Sequence, residues 1–375
     1  MRNRFRFLMV NLLIINLLIA QKPNSPKING RIQYDFEFIK RQKDTAWFQG
    51  NEFRRVHLSF KGKTGSKLKY KIEVNFASGK IGFRDLFIQY SAGKYGQLAI
   101  GSMAEPTGLN MMTSSKYISF TERAMLTALQ NFRWGAGLHY QNYQLFRHKA
   151  GLQLSLTNNG ANDKGFADKA LNEGMNFAGR FFLVPYSTSN NHALIHLGMN
   201  FASRPAKDLK FRAENHMGEK YHYVFPGAKR RLVNGSEIAL TYSSLSLQGE
   251  YKCQQLSGRE KNYTVKAYYL KTGYFITGEY KPYKHGSFGR VKPLKDIDHG
   301  GLGAFEIVLR YSVMEVNRAV SDINPGQPGR IANWGIGFNW YLNARAKVMY
   351  NYILTDDDNP SGNQAAHLLR FQIDF

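Results

Sequence analysis

The sequence holds a single cysteine, Cys253, among 375 residues. No intramolecular disulfide is possible, so packing and backbone hydrogen bonds must hold the fold. Long apolar runs are missing as well. No stretch of about 18 or more apolar residues occurs, which excludes a membrane-spanning helix. Helical periodicity is nearly absent, and "ERAMLTALQNF" is the one stretch that suits a short helix. Catalytic signatures are lacking too. The 10 histidines are scattered, no Ser/His/Asp spacing stands out, and no phosphate-cradling glycine loop leads into a helix. Neither enzyme chemistry nor a cofactor is expected. "TDDDN" at 355–359 offers the oxygen ligands that calcium takes, but a tip with three aspartates is ordinarily solvated.

Aromatic residues are plentiful. They make up 14% of the chain, beside 35 glycines, a mixture that favours strands and turns. The start, "MRNRFRFLMVNLLIINLLIAQ", places Arg2, Arg4 and Arg6 before an apolar run from Phe7 to Ala20. A charged head, a short greasy middle and a small residue at the end describe a secretory signal peptide over 1–20, cleaved after Ala20. The alternative is a membrane anchor, for which the run is short. Residues 21–375 then form one exported domain, and loss of the three arginines lowers the net charge from +24 to +21. Such a charge suits nucleic acid, anionic lipid or small anions, and export disfavours nucleic acid.

Strict alternation recurs along the chain. "RIQYDFEF" puts Ile32, Tyr34, Phe36 and Phe38 on one face. "NYTVKAYY" does so with Tyr263, Val265, Ala267 and Tyr269, and "WGIGFNWYL" with Trp334, Ile336, Phe338, Trp340 and Leu342. The final "LLRFQIDF" sets Leu369, Phe371, Ile373 and Phe375 against Arg370, Gln372 and Asp374. About seventeen such runs occur, each near the roughly 9–11 residues of a tilted membrane strand. A closed bacterial barrel has an even number of strands and both ends on the periplasmic side, so 16 or 18 is expected. Lipid would cover the oily face of the last strand, and the first strand would pair its backbone. A secreted β-sandwich or propeller would explain the alternation, but not so many large apolar residues on one face of nearly every run.

The pieces "NEFRRVHLSFKG", "LKYKIEVNFASGKIGFRDLFIQY", "IGSMAEPTGLNMMTSSKYISFTERAM", "TGEYKPYKHGSFGRVKP", "FEIVLRYS" and the ending "FQIDF" resemble the phosphate-selective porin O and P family of Gram-negative bacteria. The resemblance runs over nearly the whole mature chain. It implies an all-β, 16-stranded transmembrane barrel, usually trimeric, with loops folded into the lumen. Segment 102–133 would be the third outer loop, bent inward as the constriction. There Met103, Met111, Met112 and the Ala/Leu positions near Met125 would pack it to the wall. Lys116, Arg123 and Arg133 would offer cations to an anion such as phosphate, and Ser114 and Ser115 hydroxyls. Arg54 and Arg55 would belong to an arginine track guiding anions. By parity Arg55 faces the lumen, whereas Arg54 shares the face of Val56 and is tolerable only where it can snorkel at the interface. Asp85 matches a family aspartate on the lumen side, where a wall salt bridge is the simpler role.

If oily faces meet lipid, their neighbours meet water. Eleven cations then line the lumen: Arg55, Lys61, Lys69, Lys71, Lys252, Lys266, Lys281, Arg310, Arg345, Lys347 and Arg370. Nine anions face them: Asp35, Glu37, Glu73, Asp85, Glu237, Glu250, Glu279, Glu306 and Asp374. The positive surplus therefore lies in loops: "KRQK" at 40–43, "KDLKFR" at 207–212, "AKRR" at 228–231, and "GRVKPLK" at 289–295 with Arg290 and Lys292. Folded inward, these would concentrate anions in a porin. Facing outward, they would hold lipopolysaccharide phosphates on a binding or structural barrel that conducts little.

Overall fold

A computed structural model describes residues 25–79, 81–130, 134–159, 174–188, 192–258, 261–358 and 362–375. The expected signal peptide and Arg133 lie outside the described residues. The first nine strands are β1 Lys27–Arg41, β2 Phe48–Thr64, β3 Leu68–Asn75, β4 Gly82–Ser91, β5 Gln97–Ala104, β6 Trp134–Gln144, β7 Ala150–Asn159, β8 Asn176–Ser187 and β9 Ala193–Pro205. A hairpin of β10 Leu209–Phe211 and β11 Tyr221–Tyr223 follows. Next come β12 Arg230–Tyr242, β13 Leu245–Ser257 and β14 Asn262–Phe275, then a second hairpin of β15 Tyr283–Lys284 and β16 Ser287–Phe288. The chain ends with β17 Ala304–Val316, β18 Arg330–Tyr341, β19 Ala346–Asp357 and β20 Gln364–Asp374.

Without the two hairpins, sixteen antiparallel strands close into one barrel. The last strand closes it, with β1 pairing β20 from Arg31↔Asp374 to Arg41↔Gln364. Gly30 and Phe375 exchange both backbone hydrogen bonds, at 2.9 and 3.2 Å. Closure leaves no unpaired edge. The alternation of β20 matches its sequence: Arg370, Gln372 and Asp374 are buried inside, while Phe371, Ile373 and Phe375 are 46 to 50% exposed outside.

An even number of strands puts Lys27 and Phe375 on one rim, here called the terminal rim. Its connections are mostly short, as at 65–67, 243–244 and 342–345. The outer rim carries the long ones, 105–133, 206–229 and 317–329. One long connection, 276–303, breaks this pattern by lying on the terminal rim. It holds Arg290 and Lys292, so the basic stretch at 289–295 sits at the end opposite the other three.

The core lies inside the barrel. Leu126 and Leu129 from segment 105–133 pack with Phe211, Tyr221, Tyr223 and Phe225 from 206–229, against Val265, Ala267 and Tyr269 of the wall. On β14 this reverses the face assignment made from sequence: Tyr263, Val265, Ala267 and Tyr269 are buried inward, and Lys266 points outward, exposed. The inward face is apolar here because folded-in loops, rather than water, cover it. From the stretch "ERAMLTALQNF" the described residues form a short 3-10 helix, Met125–Gln130.

Candidate pore constriction

Segment 105–130 crosses the lumen, and an irregular backbone can be buried only if its polar groups find partners. Wall side chains supply them. Lys252 Nζ donates to the Thr107 carbonyl (2.5 Å), and the Asn110 N–H donates to Glu250 Oε1 (2.6 Å). Lys347 donates to the Ile118 carbonyl (2.9 Å) and Asn339 to that of Ser119 (3.0 Å). The Thr121 N–H donates to Asn351 Oδ1 (2.8 Å), and Arg310 Nη1 donates to the Glu122 carbonyl (3.0 Å). These wall residues are fully or almost fully buried. Lys252, Lys281, Arg310, Lys347 and Arg370, read from sequence as wet lumen cations, are thus struts for the loop. Lys281 lies in segment 276–303 and pairs with Glu306 at 3.0 Å.

Glu122 is the hub of the constriction. Arg54 grips it bidentately (2.8 and 3.1 Å), Arg370 donates at 3.1 Å, and Arg55 lies 3.8 Å away. Arg370 in turn grips Asp35 at 2.7 and 2.6 Å. Burial of Glu122 opposes ionisation, but Arg54, Arg55 and Arg370 outweigh it and hold the carboxyl well below its ordinary range.

Arg54 therefore faces the lumen, and not the membrane interface. The register shows why. Gln33 pairs with Arg55 and Tyr34 with Phe53, so Arg54 is the extra residue of a β-bulge. A bulge sets two residues against one and re-aims side chains, which breaks strict alternation. The same device recurs on β4. Ile72 pairs with Leu86 and Val74 with Phe83, leaving Arg84 and Asp85 opposite Glu73. Arg84 lies over the Trp134 ring at 4.6 Å, and Asp85 accepts from Trp134 Nε1 (2.7 Å) and Lys71 (2.6 Å).

The bulges feed a cavity of about 400 Å³ between segment 105–130 and the wall of β1–β4. Seven cations line it: Arg31, Arg54, Arg55, Arg84, Arg123, Lys210 and Arg212. Two carboxylates, Glu122 and Glu214, share the lining, and both are engaged, Glu214 by Arg310 at 2.5 Å. A second cavity of about 260 Å³ adjoins it, with Arg31 and Trp134 lining both, and reaches Gln141 and Gln153. The two cavities thus lie on the β1–β7 side, while β12–β20 pack against the loop.

Of the residues singled out from sequence, Arg55, Arg123 and Ser115 line the larger cavity, and Ser114 and Asp85 the smaller. Arg55 also donates to Gln33 Oε1 (2.9 Å) and Arg123 to the Thr113 carbonyl (2.7 Å), while Ser115 Oγ accepts from Arg31 (2.5 Å). Lys116 stands apart, 3.4 Å from Asp374. Burial, together with Arg31 and Arg290, pushes its ammonium below the ordinary range against the pull of Asp374. Arg290 also pairs with Asp374 and lies over the Tyr117 ring (5.4 Å), and Lys292 is exposed on the terminal rim. Neither joins the constriction. Arg31, Arg84, Lys210 and Arg212 escaped the sequence reading. "KDLKFR" had marked the last two as charge without a place, and nothing in sequence marked the bulge at Arg84. The aspartates at 356–358 do not converge: Asp357 accepts from Tyr221 (3.0 Å), and Asp358 from the Gly329 and Arg330 N–H groups (2.9 and 3.0 Å).

Comparison with known proteins agrees with this architecture. Porin O of Pseudomonas aeruginosa is 25% identical over 393 residues, covering 93% of this chain and 87% of that one. An anion-selective porin from Comamonas acidovorans superposes with a TM-score of 0.64 at 11% identity, covering 94% of this chain and all of that one. OmpT of Vibrio cholerae, in its trimer form, gives 0.55 at 10% identity, covering 94% and 100%. The family model described as phosphate-selective porin O and P matches residues 27–375, and the chain belongs to that family.

Proposed function

We propose that the chain is an outer-membrane porin that passes small hydrophilic solutes and prefers anions of the phosphate class. The observation that carries this is the cavity lining, seven cations against two engaged carboxylates beside the constriction. Guanidinium groups replace hydration lost by an anion, and the low-dielectric walls focus the field. The family and the fold are those of channels rather than enzymes. Export by a leader ending at Ala20 and assembly as a trimer complete the reading, the latter supported by the trimeric relative in the same fold. A second reading, lipopolysaccharide held at the outer rim, draws on the exposed Lys207, Lys220, Lys229 and Arg230.

Reversal potential in a salt gradient across a planar bilayer tests the proposal. The unmodified protein should show anion preference. Arg123→Glu with Arg212→Glu should move the potential toward the cation side. Lys116→Glu should move it less, because Lys116 already sits beside Asp374, outside the larger cavity. An unchanged potential in the double variant, or no conductance in the unmodified protein, would overturn the reading.

A further inference from the structure

Segment 276–303 enters the lumen and then leaves it. Val291 is buried with Phe275, Ala304 and Tyr341 beneath the terminal rim. Beyond it the chain turns back on itself. The Gly301 N–H donates to the Asp296 carbonyl (2.8 Å) and the Gly303 N–H to that of Lys295 (3.1 Å). Asp296 caps the turn by accepting from the His299 N–H (3.1 Å), and the Ile297 N–H donates to the Leu342 carbonyl (3.1 Å). This tied-down loop nevertheless leaves Leu294 and Leu302 each 76% exposed and Ile297 41% exposed. Lys292 and Lys295 beside them are exposed as well.

Trp340 locates the loop. Its ring lies on the outward face of β18, stacked against Phe305 at 5.9 Å, and its Nε1 donates to the Leu302 carbonyl (2.8 Å). Leu302 is thereby held at the lipid-facing perimeter, in continuity with the apolar belt. Aromatic residues at barrel ends mark the level of the headgroups. We propose that residues 292–302 form an interfacial anchor. Leu294, Ile297 and Leu302 enter the acyl boundary of the leaflet at the terminal rim, and Lys292 and Lys295 meet anionic phospholipid headgroups. Asp296 and Asp298, which accept from the His299 N–H and from Asn343 Nδ2 (2.9 Å), offset part of this charge, so the aliphatic side chains carry most of the anchoring. An exposed aliphatic cluster flanked by lysines fits such an interface.

The test places a fluorophore on Leu294→Cys or Leu302→Cys in a Cys253→Ser background, in nanodiscs of phosphatidylethanolamine and phosphatidylglycerol. Arg318→Cys, whose native side chain is 94% exposed on the outer rim, serves as the aqueous control. At 294 and 302 a headgroup-level nitroxide lipid should remove most of the fluorescence, and iodide little of it. Lys292→Glu with Lys295→Glu should weaken the lipid quenching when phosphatidylglycerol is present and leave it unchanged in its absence. Iodide quenching equal to that at position 318 would put the loop in water. Protection from both quenchers would mean that protein covers it. Either result overturns the proposal.

Discussion

At the scale of the residue, the constriction turns on one carboxylate. Glu122 gathers three arginines, and its side chain is 13% exposed. Breaking a buried, hydrogen-bonded ion pair from one side costs about 3–5 kcal/mol in general. Arg370 still holds Glu122 when Arg54 is removed, so Arg54→Ala should cost less, about 2 kcal/mol. The thermal transition in detergent measures this. Glu122→Gln and Arg54→Ala should be non-additive in a double-mutant cycle, since each removes the same pair. Additive losses would show that the pair does not latch the loop. The sign of the pH dependence follows from the lowered carboxyl. A depressed folded-state value contributes stability that is complete above the ordinary carboxylate range, 4.5 for Glu, and is lost as pH falls through the folded value. Acidification from neutrality to about pH 5 should therefore leave this latch intact, with the cost of Arg54→Ala the same at both values.

At the scale of the element, the loop depends on close approach as well as charge. Gly108 has φ 119 and opens the short α-helical turn Leu109–Met112 against the wall. A Cβ there would overlap the Glu250 carboxylate, which accepts from the Asn110 N–H. Gly108→Ala combines a backbone conformation that L residues avoid with loss of that contact, at a cost of about 1–3 kcal/mol. Lower heat resistance and noisier single-channel current should result. A variant with unaltered melting and current would mean that the loop is not seated by this approach. The strands show how much was legible. The period-2 pattern of β18 and β20 gave the right face throughout. On β2 it failed at Arg54, where an inserted residue resets the alternation without any sequence mark, and the second bulge, which turns Arg84 of β4 inward, was equally unmarked. On β14 it gave the wrong face, because hydrophobicity reports what a residue touches and not which side of the barrel it is on.

At the scale of the whole molecule, the lumen is narrowed from both rims. Segment 105–130 descends from the outer rim. The β15–β16 hairpin rises from the terminal rim to pack Tyr283 and Phe288 against Leu109, Phe182 and Leu194. Arg180 Nη2 donates to the Gly286 carbonyl (2.7 Å) and fastens the hairpin to the wall. Replacing 283–288 by a glycine-serine linker should raise single-channel conductance in symmetrical salt. The anion preference should largely survive, because the cation-lined cavity lies on the other side of the lumen. Unchanged conductance would place the hairpin outside the solute path. The preference itself should fall as salt rises, since the Debye length shortens from about 10 Å at 0.1 M to about 3 Å at 1 M and screens the lining charges.

The sequence by itself determined the barrel. Period-2 alternation in nearly every run specifies antiparallel strands with one face toward lipid, because neighbour-by-neighbour chemistry sets strand faces, and closure follows from the cost of an unpaired edge. Counting strands found the third outer loop but started it three residues early, at 102, because β5 continues through Met103 to Ala104, paired with Gly135 and Trp134 of β6. Which charges remain wet was decided by the tertiary structure alone. A lysine on the inner face reads the same whether it meets water or the backbone of a folded-in loop, and the difference arises from contacts between segments more than a hundred residues apart, as between Lys347 and Ile118.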